Sequence, residues 1–176
     1  MLSTEPPAAP SISPAVVLKS LGLIIAFLVL MHGVVQVATF RFGHDHLMGL
    51  APMFDLNREG NIPTWYSGAV LLITGLVLGI VALGAHQTRA PFVAHWAVLS
   101  AIFLYLSFDE TMRVHEFWGA RLDGWFEEWR SRDFFGGAFA HLWVLPAGLM
   151  IAVTGLGYLR FLQHLPPHTR TVFVVS

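Results

Sequence analysis

Residues 95–116 read HWAVLSAIFLYLSFDETMRVHE, an apolar run that ends in a dense group of carboxylate, imidazole and guanidinium side chains. The apolar part, 95–108, is typical of a helix in a bilayer, although it is shorter than the ~20 residues that a span needs. We therefore expect the helix to continue through the charged group to about Gly119, which leaves the charges at the membrane interface. Ionisable groups in such a place are costly and usually serve a function or a paired network.

Four apolar segments are long enough to predict the fold. They run from about Ala15 to Phe40, Pro63 to Ala85, Phe92 to Phe108 and Gly137 to Phe161. The chain is 55% apolar and only 12% charged, whereas soluble domains carry about 25% charge. This composition predicts an all-α protein, an integral membrane four-helix up-down bundle that forms one folding unit. Between the third and fourth segments, residues 119–136 alternate aromatic and charged side chains and predict a short interfacial helix.

Local signals set the boundaries of the predicted bundle. Pro14 suits the first turn of a helix, and the stretch Asn61–Pro63 offers a cap and an early proline to the second segment. We therefore predict a Pro/Ser-rich N-terminal tail over 1–14, a four-helix transmembrane domain over 15–163 and a C-terminal tail over 164–176. The N-terminal tail has no basic region and no cleavage site before the first apolar run, so it is not interpreted as a signal peptide.

Charge and cysteine content exclude several classes of function. The chain has no cysteine, which excludes disulfides, thiolate metal sites and cysteine nucleophiles. Its net charge is −1, so no nucleic-acid partner is expected. An even number of spans puts both termini on one side. By the Lys/Arg count the opposite, loop side would be cytoplasmic, with six basic residues against four on the side of the termini. The short loop 86–91 on the side of the termini carries an unpaired arginine, which favours cytoplasmic termini instead.

Small residues recur one helical turn apart in two segments. Gly75 and Gly79 share one face of the second segment, and Gly148, Ala152 and Gly155 share one face of the fourth. Such residues let helices approach closely in lipid. We expect these faces to pack within the bundle or against other membrane-protein subunits or a second copy, with membrane lipid covering the remaining surface.

The charged group has two interpretations if it lies on one continuous helix. Asp109, Arg113 and Glu116 then share a face, so Arg113 could bridge both carboxylates. His115 and Glu110 would point well away from that face on either side. The cluster is therefore either a self-neutralising salt-bridge stripe or a metal or proton site completed by other helices.

Polar groups from the other segments are expected on the same membrane side. These groups are His32, Glu59, Asn61 and His141. A mononuclear transition-metal site could then be built from His115, Glu116 and either His32 or His141. Haem ligation by His32 and His141 is a second hypothesis. The Glu-x-x-His spacing of a di-metal carboxylate site is absent, which disfavours that class.

Two stretches together resemble a known family. Residues 59–67, EGNIPTWYS, resemble an E-x-N-x-P-[ST]-W-[FY]-S motif, and residues 107–116, SFDETMRVHE, resemble S-[LF]-D-E-x4-H-E. Both motifs occur in this order in an uncharacterised family of bacterial multi-span membrane proteins. The resemblance implies a location in the bacterial inner membrane, and it implies no activity. The positions that match the motifs are Glu59, Asn61, Pro63, Trp65, Asp109, Glu110, His115 and Glu116.

Three functions are compatible with these features. The first is an accessory, structural subunit of a larger membrane complex of the electron-transfer or light-harvesting type. The second is a metal-dependent membrane enzyme that uses Asp109, Glu110, His115 and Glu116 as ligands or acid/base groups. The third is a proton or ion relay through the same carboxylates.

Overall fold

The structure, a computed structural model, describes residues 13–43, 49–125 and 144–175, and every regular element in these ranges is helical. The helices are α1 (Pro14–Phe42), α2 (Leu50–Phe54), α3 (Ile62–Gln87), α4 (Val93–Met112), α5 (Val114–Trp125), α6 (Val144–His164) and α7 (Pro167–Val175). The predicted all-α class is confirmed for these ranges. By length and composition, α1 and α3 are apolar enough to cross a membrane.

The chain divides into two compact units, residues 1–64 and 65–176. In the first unit, α1 packs against the short helix α2, which the sequence did not predict. The rings of Phe27 and Phe54 meet edge to face at 6.1 Å between centroids, and Leu28 of α1 is buried.

The ends of α1 follow their local sequence. The helix begins at Pro14, as predicted, because a proline at the first position needs no N–H partner. It ends at Gly43, whose φ of 67° is left-handed and whose N–H donates to the carbonyls of Ala38 and Thr39. A glycine adopts this conformation without steric cost, so it closes the helix.

In the second unit, α3 and α4 run antiparallel and α6 packs against the N-terminal half of α4. Ser100 Oγ donates to the carbonyl of Gly75 across the first pair, and Tyr158 Oη donates to the carbonyl of His95 across the second. Of the large apolar side chains that the structure describes, Phe161 of α6 is the most buried, with 1% of its surface exposed.

One expectation from the sequence, a continuous third helix, is wrong. The third apolar helix does not continue to Gly119, because Arg113 adopts a left-handed conformation (φ 56°) and separates α4 from α5. The C-terminal tail contains the helix α7 over Pro167–Val175. The predictions for residues 1–12 and 126–143, which include His141 and most of the expected interfacial helix, lie outside the described residues.

Candidate functional site

Two serine–carbonyl hydrogen bonds join α3 and α4 at closest approach. Ser100 Oγ donates to Gly75 O and Ser107 Oγ donates to Gly68 O, both at 2.8 Å. Each helix places its two partners two turns apart, so the same contact repeats along one seam. All four residues are buried. In an apolar setting a serine hydroxyl needs an acceptor, and a glycine leaves its carbonyl accessible to the neighbouring helix.

The packing at Gly75 is tight enough to exclude a side chain. A Cβ built there would lie 2.9 Å from Leu104 Cγ and 3.0 Å from the Leu104 backbone nitrogen. One turn further along, a Cβ at Gly79 would lie 3.1 Å from Ser100 Oγ. The small residues of α3 therefore face α4 within the chain.

The two stretches that carry the family resemblance contact each other along this seam. Ser67, from the first motif, donates through Oγ to Glu110 Oε1 at 2.5 Å. Ser107, from the second motif, bonds the carbonyl of Gly68, and Thr111 Oγ1 lies 3.0 Å from the position of a Cβ on Gly68. The motifs lie far apart in the chain, and their residues form one helix–helix contact.

Asp109 connects the end of α4 to the start of α5. Its Oδ1 accepts the backbone N–H of His115 at 2.7 Å, and its Oδ2 lies 3.0 Å from His115 Nδ1. A carboxylate at the first turn of a helix satisfies a free N–H and interacts favourably with the helix dipole. The turn at Arg113 makes this possible, since its N–H donates to the Asp109 carbonyl at 2.7 Å.

The expected geometry of the charged group is therefore corrected. On a continuous helix His115 would point away from Asp109, but the break at Arg113 brings the two side chains together. The carboxylate favours the proton on Nδ1 of neutral His115, which makes Nε2 the basic nitrogen. Arg113 pairs with Glu116 at the surface, where the two side chains are 48% and 44% exposed. An exposed pair of this kind contributes about 0–1 kcal/mol.

Asp55 organises a polar group in the first unit. Its carboxylate accepts from Gln36 Nε2 at 3.3 Å and from the Asn57 N–H at 3.0 Å, and it lies 3.4 Å from Arg58 Nε. Only 17% of the Asp55 side chain is exposed. The carboxylate thus links α1 to the turn that precedes α3.

His32, predicted as a metal ligand or haem ligand, lies in this group. Its Nδ1 accepts the Leu56 N–H at 3.1 Å and is 3.5 Å from Asp55 Oδ1. Because Nδ1 is the acceptor, the proton of the neutral ring is on Nε2. The structure therefore uses His32 Nδ1 to bind the backbone after α2.

Asn61 caps α3, as its sequence position predicted. Its Oδ1 accepts the Thr64 N–H at 3.2 Å, which satisfies a free donor of the first turn. Its Nδ2 donates to the carbonyl of Asp55 at 2.6 Å. Glu59 lies two residues earlier and is exposed.

An aromatic cluster around Phe161 was missed by sequence analysis. Its rings lie within 4.8–6.3 Å of one another in consecutive contacts. The members are Phe92, His95, Trp96, Tyr158, Phe161, His164 and Phe173. His164 is exposed and joins the cluster at the end of α6, where its ring centroid is 5.0 Å from that of Phe92. Aromatic enrichment near the ends of 92–96 and 158–173 was the only signal available in the sequence.

The small residues of α6 form an exposed stripe. Gly148, Ala152 and Gly155 are all exposed. In the part of the chain that the structure describes, no atom lies within 4 Å of a Cβ built at Gly148 or Gly155.

These contacts define an all-α protein whose helices are joined by hydroxyl–carbonyl, carboxylate and aromatic contacts, with two helices of membrane-spanning length. The chain belongs to the family described as a domain of unknown function, DUF8692, whose family model matches residues 21–176. The match includes both motif stretches. No curated protein and no solved structure shows significant similarity to the chain.

Proposed function

We propose that this chain is a multi-pass protein of the bacterial inner membrane that serves as an accessory, structural subunit of a larger membrane complex. In this proposal α1, α3, α4 and α6 are the four spans of an up-down bundle, and both termini are cytoplasmic. The observation that carries the proposal is a contrast. The polar groups of the motifs bond to neighbouring helices, whereas none of the described residues covers Gly148 or Gly155 in the small-residue stripe of α6.

The motif residues support a structural role because their bonds are internal. Glu110 accepts from Ser67, Asp109 holds the start of α5 through His115, and Glu116 pairs with Arg113. These contacts explain why a membrane helix would carry such costly groups without a substrate.

The uncovered small-residue face of α6 supports a partner. On α6 the exposed stripe of small residues is of the kind that admits a second helix at close range in lipid. Acyl chains can cover large apolar side chains, but a small-residue stripe gains most from the close packing of another helix.

The first test is native purification from membranes, with mass spectrometry of co-eluting proteins and elemental analysis of the same fraction. We expect stoichiometric partner subunits and no stoichiometric metal. The double variant Gly148→Leu/Gly155→Leu should lose most of the partner, because leucines would block the stripe. The matched control is Gly157→Leu, which is also open to a new side chain but lies about 180° around α6 from the stripe.

Two results would count against the subunit proposal. One is a chain that is purified alone and monomeric at every stage. The other is equal loss of the partner in the double variant and in Gly157→Leu, which would show that α6 is merely intolerant of leucine.

Cysteine labelling tests the four-span topology. The chain has no native cysteine, so only the introduced cysteines can react. Gln87→Cys lies at the end of α3 and Ala120→Cys lies on α5, both at exposed positions. Because α4 crosses the membrane in this proposal, a membrane-impermeant maleimide should label only Ala120→Cys in intact spheroplasts. Both variants should react after lysis. Labelling of both in intact spheroplasts would contradict a spanning α4.

A metal-dependent membrane enzyme is the second candidate, and the Asp109–His115 pair is the observation that favours it. A carboxylate that orients an imidazole is the usual support of a histidine ligand. In this case the elemental analysis should find near-stoichiometric metal that His115→Ala removes. The proton or ion relay stays a prediction from the sequence, and unchanged flux in Asp109→Asn/Glu116→Gln would exclude it.

A further inference from the structure

One end of the second unit gathers positive charge, and no Asp or Glu lies there among the residues that the structure describes. Arg89 lies in the turn between α3 and α4, Arg160 near the end of α6, and Arg170 on α7, and all three are exposed. We call these three residues the basic end. The sequence has no Asp or Glu in 60–108 or in 134–176. Among the residues that the structure describes, none of these guanidinium groups is in an ion pair.

The aromatic cluster holds the three segments of the basic end together. Each arginine is within three residues of a phenylalanine of the cluster, namely Phe92, Phe161 or Phe173. The Phe92 and Phe161 rings are 5.9 Å apart, and the Phe161 and Phe173 rings are 6.3 Å apart. The arginines are therefore carried by backbone segments that meet at one point of the fold.

The turn that carries Arg89 is well defined. Its N–H donates to the carbonyl of His86 at 3.1 Å, and the N–H of Ala90 donates to the carbonyl of Ala85 at 2.9 Å. Arg89 itself has a left-handed φ of 51°. These bonds fix the backbone of Arg89 in the turn at the end of the helix pair.

Helix α7 has the side-chain distribution of an interfacial helix. Phe173 packs on the rings of Trp96 and Phe161 in the second unit. Val172, Val174 and Val175, by contrast, are 54%, 70% and 79% exposed, on a helix that also carries Arg170. A short helix that exposes three valines and an arginine is suited to the boundary between lipid headgroups and acyl chains.

We infer that the basic end binds the phosphate headgroups of anionic glycerophospholipids, with α7 lying in the headgroup layer. The inference rests on the proposed membrane location and adds a ligand class. Guanidinium groups bind phosphate oxygens through paired N–H donors, and no described Asp or Glu of this end competes for them. A basic surface of this kind belongs at the anionic cytoplasmic leaflet, which agrees with the proposed cytoplasmic termini.

The test compares two lipids with identical acyl chains on the purified full chain. Phosphatidylglycerol and phosphatidylcholine are added in equal amounts in detergent, and native mass spectrometry measures the ratio of bound lipids. Wild type should prefer phosphatidylglycerol. Arg160→Gln/Arg170→Gln should reduce this preference about fivefold for each arginine removed at low salt.

The matched control removes two positive charges outside the basic end. Arg41→Gln/Arg121→Gln changes exposed arginines of α1 and α5 and leaves the same net charge as the test variant. This control should keep the preference for phosphatidylglycerol. An equal loss in both double variants, or no loss in either, would overturn the inference.

Two further measurements distinguish a failure of the lipid inference from a failure of the proposed membrane location. Inorganic phosphate should not displace bound phosphatidylglycerol, and displacement at equal concentration would indicate a site for free phosphate instead. Alkaline extraction of membranes tests the location alone. Release of the chain would remove the membrane proposal, whereas retention without lipid preference would remove only this inference.

Discussion

Gly75→Ala is expected to destabilise the protein, although alanine is normally the better helix former. The new methyl group would lie 2.9 Å from Leu104 Cγ and 3.0 Å from its backbone nitrogen. The side chain can rotate away, but the backbone nitrogen can move only with α4. Such overpacking costs about 1–3 kcal/mol, and separating the helices also lengthens the Ser100 bond to the Gly75 carbonyl. SDS titration followed by circular dichroism measures the change in unfolding free energy.

The matched control for this substitution is on the same helix. Gly84 is exposed, and within the described ranges no atom lies within 4 Å of its built Cβ. Gly84→Ala should therefore gain up to about 1 kcal/mol from helix propensity alone. The two variants are expected to shift stability in opposite directions. A stabilising Gly75→Ala would contradict the close approach of α3 and α4.

Asp109→Ala is expected to loosen the start of α5. The substitution removes the acceptor of the His115 N–H and the partner of its Nδ1, at a site where 17% of the Asp109 side chain is exposed. An amide donor that loses its partner in such a position costs about 1–3 kcal/mol. The same SDS titration measures the loss, and the helical signal should decrease before the main transition as α5 frays.

Two variants calibrate this result. Asp109→Asn keeps an oxygen that can accept the His115 N–H, so it should lose less stability than Asp109→Ala. Glu116→Gln changes the exposed pair with Arg113 and should cost about 0–1 kcal/mol. If Glu116→Gln were the more damaging change, the Asp109 contact would not be the main connection between α4 and α5.

The local sequence predicts some helix ends of this protein and misses the break between α4 and α5. The start of α1 at Pro14 and the Asn61 cap of α3 depend on nearest neighbours, and the sequence placed both correctly. The break at Arg113 could not be seen, because arginine has no special preference for a left-handed conformation. The position of the break depends on the contact between Asp109 and His115, which forms only after the turn. Helical periodicity of about 3.6 residues assumes a continuous helix, so it does not predict this contact.

Contacts between distant segments were also beyond the reach of the local sequence. The two motif stretches were recognisable one at a time, but the bond between Ser67 and Glu110 joins positions far apart in the chain. The aromatic cluster around Phe161 likewise draws on α4, α6 and α7. Contacts of this kind depend on which helix faces pack together. Hydropathy shows that a helix face is apolar, but it does not show which other helix packs against that face.

The sequence by itself determined the helical class, the apolar segments, the absence of thiol chemistry and the residue types at the polar sites. These properties follow from composition and from short-range backbone preferences. Only the tertiary structure decided that the glycine carbonyls of α3 accept from the serines of α4 and that Asp109 binds His115. It also decided that the segments carrying Arg89, Arg160 and Arg170 meet at one end, where the described residues include no Asp or Glu. Each of these depends on distances between segments, which are set by packing after the helices have formed.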